Sequence, residues 1–283
     1  MSQTAFTLIR PKVPRGCVVF ASPHSGRAYG AAFAGRSRLG ELDLRSSEDA
    51  FVDELFAAAP EAGAPLLAAA MPRAYVDLNR ASDEFDPALI EGVRRSAPGP
   101  RVSSGLGVIP RVVAGGRAIY DGKIPLEEAR ARIDRVWRPY HAQLGALLDE
   151  ARATFGRAIL FDCHSMPHAA LDQSGDRPDV VIGDRFGAAA SARIVSAVEA
   201  TFRSAGLRVA RNTPFAGAFI AQAYGRPSRG RHVIQIEIDR ALYMDERRIA
   251  RHDGFAALQA RLAQVIPALV KIGVTDRGDL AAE

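Results

Sequence analysis

The sequence predicts an α/β protein, with a mixed, mostly parallel central sheet and helices on both faces. Two observations carry that prediction. Short continuous apolar runs at 17–21 (CVVFA) and 159–161 (ILF) read as strands buried on both faces, as in a parallel sheet. Between such runs lie stretches with one apolar helical face, so strands and helices alternate along the chain. No repeat, low-complexity tract or linker divides the 283 residues, which are 48% hydrophobic, so residues 1–283 are expected to form a single α/β domain.

The strand over 17–21 leads into Ser22-Pro23-His24-Ser25-Gly26, and a Gly/Ala/Arg-rich connection covers 29–44. Ser46-Ser47-Glu48-Asp49 then opens a helix to about residue 59, with Phe51, Val52, Leu55 and Phe56 on one face. Pro60 and Gly63 stop it. Strand-like runs follow at 66–71 and 74–78, the second ending in Asp77-Leu78-Asn79-Arg80. Residues 83–110 are rich in Pro, Gly and Ser and read as a long loop with at most a short helix. Loops of that length in compact domains are usually lids or binding loops. A strand is expected over 108–113, interrupted by Pro110-Arg111. Pro125 opens the longest helix, to about residue 154. After the strand at 159–161 come a short strand at 180–183, a helix at 188–204 ended by Gly206, and a strand at 207–210. A second loop spans 212–230, a strand 233–238, and a closing helix 245–270.

The net charge of +5 does not signal nucleic acid, because only Lys12, Lys123 and Lys271 among 37 basic residues are lysines. The arginines are scattered among acids, with no basic stripe interleaved with aromatics. A net positive chain does favour small anionic substrates. Cys17 and Cys163 both fall in expected core strands and read as packed thiols, too few for an all-thiolate zinc site. No apolar run approaches the roughly 20 residues that cross a bilayer, and the N-terminus lacks an apolar signal core. A cytoplasmic protein with neither membrane nor nucleic-acid partner is expected.

Chemistry is expected where strands end, because ligands in open α/β sheets sit beyond the carboxyl ends of the strands. Two apolar runs each lead into a His-Ser pair, His24-Ser25 and His164-Ser165, which suggests two imidazoles meeting in one cleft. Neutral imidazole is a common zinc ligand, and catalytic zinc typically takes three protein groups and a water. Asp162 shares a strand face with His164 and would fix its tautomer. The third ligand should be a carboxylate, for which Asp49 and Glu48 both serve. Ser46-x-x-Asp49 equally resembles a capping box, and the pattern alone does not choose between them. In VIQIEID, Ile234, Ile236 and Ile238 face one way and Gln235, Glu237 and Asp239 the other. That polar face suits a solvated edge strand; on an interior strand beside a metal, Glu237 would be a general base with a raised pKa. Arg80, with Asn79, offers the fork that grips a substrate carboxylate, against the plainer reading of a surface salt bridge. Arg111 would polarise a carbonyl or hold a second carboxylate. His141, beside Trp137 and Tyr140, reads as a packing residue near the site. His168 and His252 read as loop and surface residues, and His232 has no assigned role.

With these residues assembled, the chain resembles the N-formylglutamate amidohydrolases from about Gly16 to Glu246. The blocks that carry the resemblance are SPHSG at 22–26, SEDAFVDEL at 47–55, RAYVDLNR at 73–80, GLGVIPR at 105–111 and RPYH at 138–141. DCHSMP at 162–167, NTPFAGAF at 212–219, YGRP at 224–227 and QIEIDRALYMDE at 235–246 complete them. The family is similar in turn to zinc carboxypeptidases and aminoacylases, which implies a zinc-carboxypeptidase-like fold. Carried over, the resemblance makes His24 and His164 zinc ligands, Asn79 and Arg80 the substrate-carboxylate grip, and Glu237 the base. Where carboxypeptidases place their acidic ligand, three residues after the first His, this chain has Arg27. The resemblance then favours Asp49 over Glu48. It implies one zinc, or another divalent ion, per chain, and hydrolysis of N-formyl-L-glutamate to formate and L-glutamate, a step it associates with histidine catabolism. Arg111 would assist at the oxyanion. The same machinery acting on another N-acyl amino acid or a γ-glutamyl peptide is the alternative activity. A non-catalytic carboxylate-binding protein is the alternative class.

Overall fold

The structure is a computed structural model and describes residues 4–93, 99–172 and 177–274. Its sheet contains β1 (Phe6–Ile9), β2 (Val18–Ser22), β3 (Leu66–Ala69), β4 (Ala158–Met166), β5 (Val180–Gly183), β6 (Val209–Arg211) and β7 (Arg231–Asp239). The order across the sheet is β1-β3-β2-β4-β7-β5-β6. The four inner strands β3, β2, β4 and β7 run parallel, β1 lies antiparallel on β3, and β5 is antiparallel to β7 while pairing parallel with β6. The mixed, mostly parallel sheet expected from the sequence is present.

Period-two alternation sorts the strand side chains onto two faces. Ile159, Phe161, Cys163, Ile234, Ile236 and Ile238 enter one apolar core with the helices Ala192–Ser204 and Gly254–Ile272. Val19, Ala21, Leu160 and Val233 enter the other, under the helix Arg138–Phe155. The Gly254–Ile272 helix is long and apolar enough to cross a membrane by length and composition, although no run approaching that length is expected from the sequence. Here Leu258, Leu262, Val265, Ile266 and Leu269 are buried against the first core.

Tertiary pairing overrode several local expectations. The apolar run of β4 continues as strand through Asp162, Cys163, His164, Ser165 and Met166, because β7 is equally long and pairs with it residue for residue. The expected helix at 46–59 is broken by Phe51, which adopts a left-handed conformation (φ 66°), leaving short helices Val52–Leu55 and Ala59–Ala62. Long-range bonds hold that break: Asp49 N donates to His24 O (3.0 Å), and Tyr243 Oη donates to Ala50 O (3.0 Å). Residues 74–78 form turns and irregular chain in place of a strand, with Asp77 N donating to Val108 O at 2.8 Å. At 108–113 only an isolated bridge between Val112 and Ala118 forms. The loop at 83–110 has its short helix at Pro100–Ser103, and its residues 94–98 lie outside those described. The loop at 212–230 contains the helix Phe219–Tyr224, and the closing helix begins at Gly254 after a two-strand ribbon. The longest helix divides into Leu126–Arg132, a π turn over Ile133–Trp137, and Arg138–Phe155. Pro139 accounts for the division, since it has no N–H to give the helical ladder at that point. Gly26 is dictated by close approach: a Cβ there would lie 2.1 Å from Met71 O.

Candidate metal centre and active site

β2 and β4 are hydrogen-bonded neighbours, so the chain leaving β2 and the end of β4 deliver His24 and His164 side by side, with ring centroids 4.8 Å apart. Asp49 reaches the same point from the segment before Val52, its amide tied to His24 O. One ligand atom from each of His24, Asp49 and His164 lies within 4.8 Å of the others, and all three residues are buried. Asp49 Oδ2 is 3.0 Å from His164 Nδ1 and 3.4 Å from His24 Nδ1. The other ring nitrogens face acids: His24 Nε2 is 2.7 Å from Asp77 Oδ1, and His164 Nε2 is 3.1 Å from Asp162 Oδ2. Asp77 thus accepts the Nε2 proton of His24 and turns its Nδ1 towards Asp49, whereas Asp162 sets a negative charge beside His164 Nε2 without making a hydrogen bond to it.

These residues fit a divalent metal. His24 Nδ1 is buried and has no hydrogen-bond partner, and it points at a carboxylate oxygen already shared with a second imidazole. Two imidazole nitrogens and one carboxylate oxygen are the donor set of hydrolytic zinc sites. Burial pushes the Asp49 carboxyl up, but the His164 and His24 imidazoles outweigh it and hold it well below the usual range. Burial pushes the His164 imidazole down, yet the Asp162 charge and the bond to Asp49 raise it well above its ordinary value. Asp77 is likewise held low against burial, by the charges of Arg73 and His24.

Glu48 is equally buried but turned elsewhere. Its carboxylate accepts from Arg45 Nε (3.0 Å) and Tyr29 Oη (3.1 Å), and burial raises its pKa. Asp49, not Glu48, is therefore the acid grouped with the two histidines.

Glu237 stands opposite His164 in the β4–β7 register, on an interior strand. Its Oε1 accepts from Gln235 Nε2 at 2.8 Å. Burial pushes the Glu237 carboxyl up to about 7, with the Asp49 and Asp162 charges adding to the shift and the His164 charge opposing it. Arg80 is buried; its Nε donates to Leu106 O (3.0 Å) and its Nη1 to Asn79 O (2.9 Å), which leaves Nη2 outside both bonds. Asn79 Oδ1 accepts from Ile220 N (2.7 Å), and Asn79 Nδ2 lies 3.3 Å from His164 Nε2. Arg111 is engaged by Asp86, to which its Nε donates at 2.8 Å, and by Ser103 O.

Three residues of this cluster escaped the sequence reading. Asp77 had a local signal, two positions before Asn79 in VDLNR, and Gln235 shares the alternation that singled out Glu237. Arg240 had none, being one arginine among many. Buried just after β7, it donates from Nη2 to Asp49 Oδ1 (2.9 Å) and from Nε to Ser165 Oγ (3.1 Å), so that Oδ2 alone is turned to the imidazoles.

His141 packs beside the site, as expected, with Nε2 2.9 Å from Leu78 O and Nδ1 2.9 Å from Tyr224 Oη. Burial pushes its imidazole from 6.5 down to about 4. A depressed histidine pKa means that the unfolded chain binds the extra proton first. The stabilisation is complete above pH 6.5 and is lost as the pH falls towards 4. That loss is expected to reach about 3 kcal/mol, at roughly 1.4 kcal/mol per pKa unit. Unfolding midpoints measured from pH 7.5 to 4.5 should fall less steeply in His141→Gln than in the wild type.

The chain is similar to known proteins over most of its length. The family model for N-formylglutamate amidohydrolase matches residues 16–244. An N-formylglutamate deformylase of Pseudomonas aeruginosa is 31% identical over 272 residues, covering 93% of this chain and 95% of that protein. One of Pseudomonas putida is 30% identical over 264 residues, covering 90% and 93%. Among solved structures, an N-formylglutamate amidohydrolase from Ralstonia eutropha superposes with a TM-score of 0.89 at 39% identity, covering 95% of this chain and 98% of that one. A gene product of Agrobacterium tumefaciens, 17% identical with a TM-score of 0.66 over 96% of this chain and 97% of its own, shares the fold. A family match running from before β2 to beyond β7, together with relatives about 30% identical over nine-tenths of the chain, shows that the chain belongs to the N-formylglutamate amidohydrolase family.

Proposed function

We propose that this protein hydrolyses N-formyl-L-glutamate to formate and L-glutamate with the help of a divalent metal, zinc being the ion its donors suit best. One observation carries the reading: three ligand atoms of His24, Asp49 and His164 converge within 4.8 Å, beside Glu237 in register with His164. A cation held by these three residues would act as a Lewis acid, lowering the pKa of water from about 15.7 to about 7 and polarising the formyl carbonyl. Asp77 keeps the His24 imidazole in the tautomer that offers Nδ1, and Asp162 places a negative charge beside His164. Arg240 engages one oxygen of Asp49 and leaves the other to the site.

Glu237 is the proton carrier. With Oε1 bound by Gln235, Oε2 accepts the proton of the attacking water and passes it to the amide nitrogen as the C–N bond breaks. A carboxyl titrating near neutrality is suited to both halves of that transfer. Arg80 grips a substrate carboxylate, and its burial keeps the pair away from competing water. Arg111, bound to Asp86 and Ser103, supports the loop beside Arg80 in this reading instead of reaching the oxyanion.

The test is metal content measured together with formate release, over a panel of formyl-, acetyl- and γ-glutamyl derivatives. Formate from N-formyl-L-glutamate should dominate. A higher kcat/KM on another acyl-amino acid would reassign the substrate. Carboxylate binding that survives chelation without turnover on any substrate would point to a binding protein. Arg80→Ala is expected to raise KM and lower kcat together, reducing kcat/KM about 10- to 100-fold, as for loss of one charged hydrogen-bonded pair. Arg80→Lys should recover only part of this, because an ammonium cannot form the fork.

A further inference from the structure

The π turn at Ile133–Trp137 sits immediately before the helix Arg138–Phe155, and such turns often mark functional sites. Here it sets two stacked side chains, Trp137 and His141, with ring centroids 3.9 Å apart, against the Leu78-Asn79-Arg80 turn. Trp137 Nε1 donates to Arg80 O at 2.9 Å, and His141 Nε2 donates to Leu78 O at 2.9 Å. Side chains four residues apart on a helix are neighbours about 5–6 Å apart, so both N–H groups reach the same turn. The two N–H groups therefore clamp the carbonyls on either side of Asn79. Asn79 is held in turn by Ile220 N at its Oδ1 (2.7 Å). Ile220 belongs to the Phe219–Tyr224 helix, whose Tyr224 hydroxyl lies 2.9 Å from His141 Nδ1 and closes the frame. Arg80 Nη1 folds back onto Asn79 O (2.9 Å), so the guanidinium takes its position from the peptide held between the two clamped carbonyls.

We propose that Trp137 and His141 are positioning residues that fix the Arg80 guanidinium for the substrate carboxylate, the π turn being what places their N–H groups on the flanking carbonyls. The proposal rests on the reading of Arg80 as the carboxylate grip. Misplacing a binding group by about 1 Å can cost about 100-fold in rate, which makes a rigid mount for Arg80 consequential.

The experiment is a double-mutant cycle with steady-state kinetics on N-formyl-L-glutamate. Trp137→Phe alone should reduce kcat/KM about 10-fold, mostly through KM, as for one lost hydrogen bond that orients a binding group. Introduced into Arg80→Ala, the same change should cost less than about twofold, because the group it positions is gone. His141→Phe should follow Trp137→Phe, and His141→Gln, which keeps an N–H donor, should stay close to wild type. Trp137 is the single tryptophan of the chain, so its emission reports on the mount without any chemistry. Glutarate, a dicarboxylate with no amide to cleave, should shift that emission in the wild type and not in Arg80→Ala. A Trp137→Phe loss that persists in full in the Arg80→Ala background would overturn the proposal. So would a Trp137→Phe enzyme with wild-type constants while Arg80→Ala is impaired. An unchanged KM in Arg80→Ala would remove the carboxylate reading itself, and the mount with it.

Discussion

Stripping the metal with a chelator, or replacing His164 with Ala, is expected to lower formate release about 1,000-fold or more. The expectation follows from what the cation supplies: several kcal/mol of transition-state stabilisation, at a tenfold loss of rate for each 1.4 kcal/mol or so. Zinc returned to the chelated wild type should restore activity at one ion per chain. In His164→Ala it should not, because one of two imidazole donors is gone and Asp49 loses its 3.0 Å partner. Circular dichroism on the same samples separates this from unfolding, since His164 is buried near the end of β4. Full activity in a protein shown to be metal-free would dispose of the metal-dependent mechanism.

Glu237→Gln should retain metal and substrate binding and yet lose about 100- to 10,000-fold in kcat, the usual contribution of a placed general base. The pH profile gives a second readout. Burial raises the Glu237 carboxyl to about 7, so the base form is depleted as the pH falls through that value. In the wild type kcat/KM should therefore rise with pH along an acid limb. A bound cation favours the carboxylate, which places the limb at or below pH 7 in the loaded enzyme. The residual activity of Glu237→Gln should lack that limb. A variant with near-normal kcat and an unchanged profile would assign the proton transfer to another group.

Much of the fold was legible because its signals are local. The apolar runs of β2, β4 and β7 and the alternation of VIQIEID reflect a side-chain period of two, which holds wherever a strand pairs. That same period put Asp162 with His164 on one strand face, and Gln235 and Asp239 with Glu237 on another, while the β4–β7 register set His164 opposite Glu237. The turn conformation of residues 74–78 was hidden, because their local pattern suits a strand and what opposes it is a bond from Asp77 N to Val108 O, 31 positions away. Phe51, with φ of 66°, was hidden for the same reason: tertiary bonds to Asp49 and Ala50 hold a conformation that its own side chain disfavours.

From the sequence alone come the chemistry-bearing residue types and their places at strand ends, together with the family resemblance that ordered them. The tertiary structure decided which acid joins the histidines. Glu48 and Asp49 are adjacent and both buried, but Arg45 and Tyr29 satisfy the first, while Arg240, His24 and His164 surround the second. It also brought Asp77 onto His24, which sets the nitrogen that faces the site. Neighbouring carboxylates are chemically alike in a string of letters. They differ in the direction of each side chain and in the charges that meet it, and those come from segments up to 191 positions away.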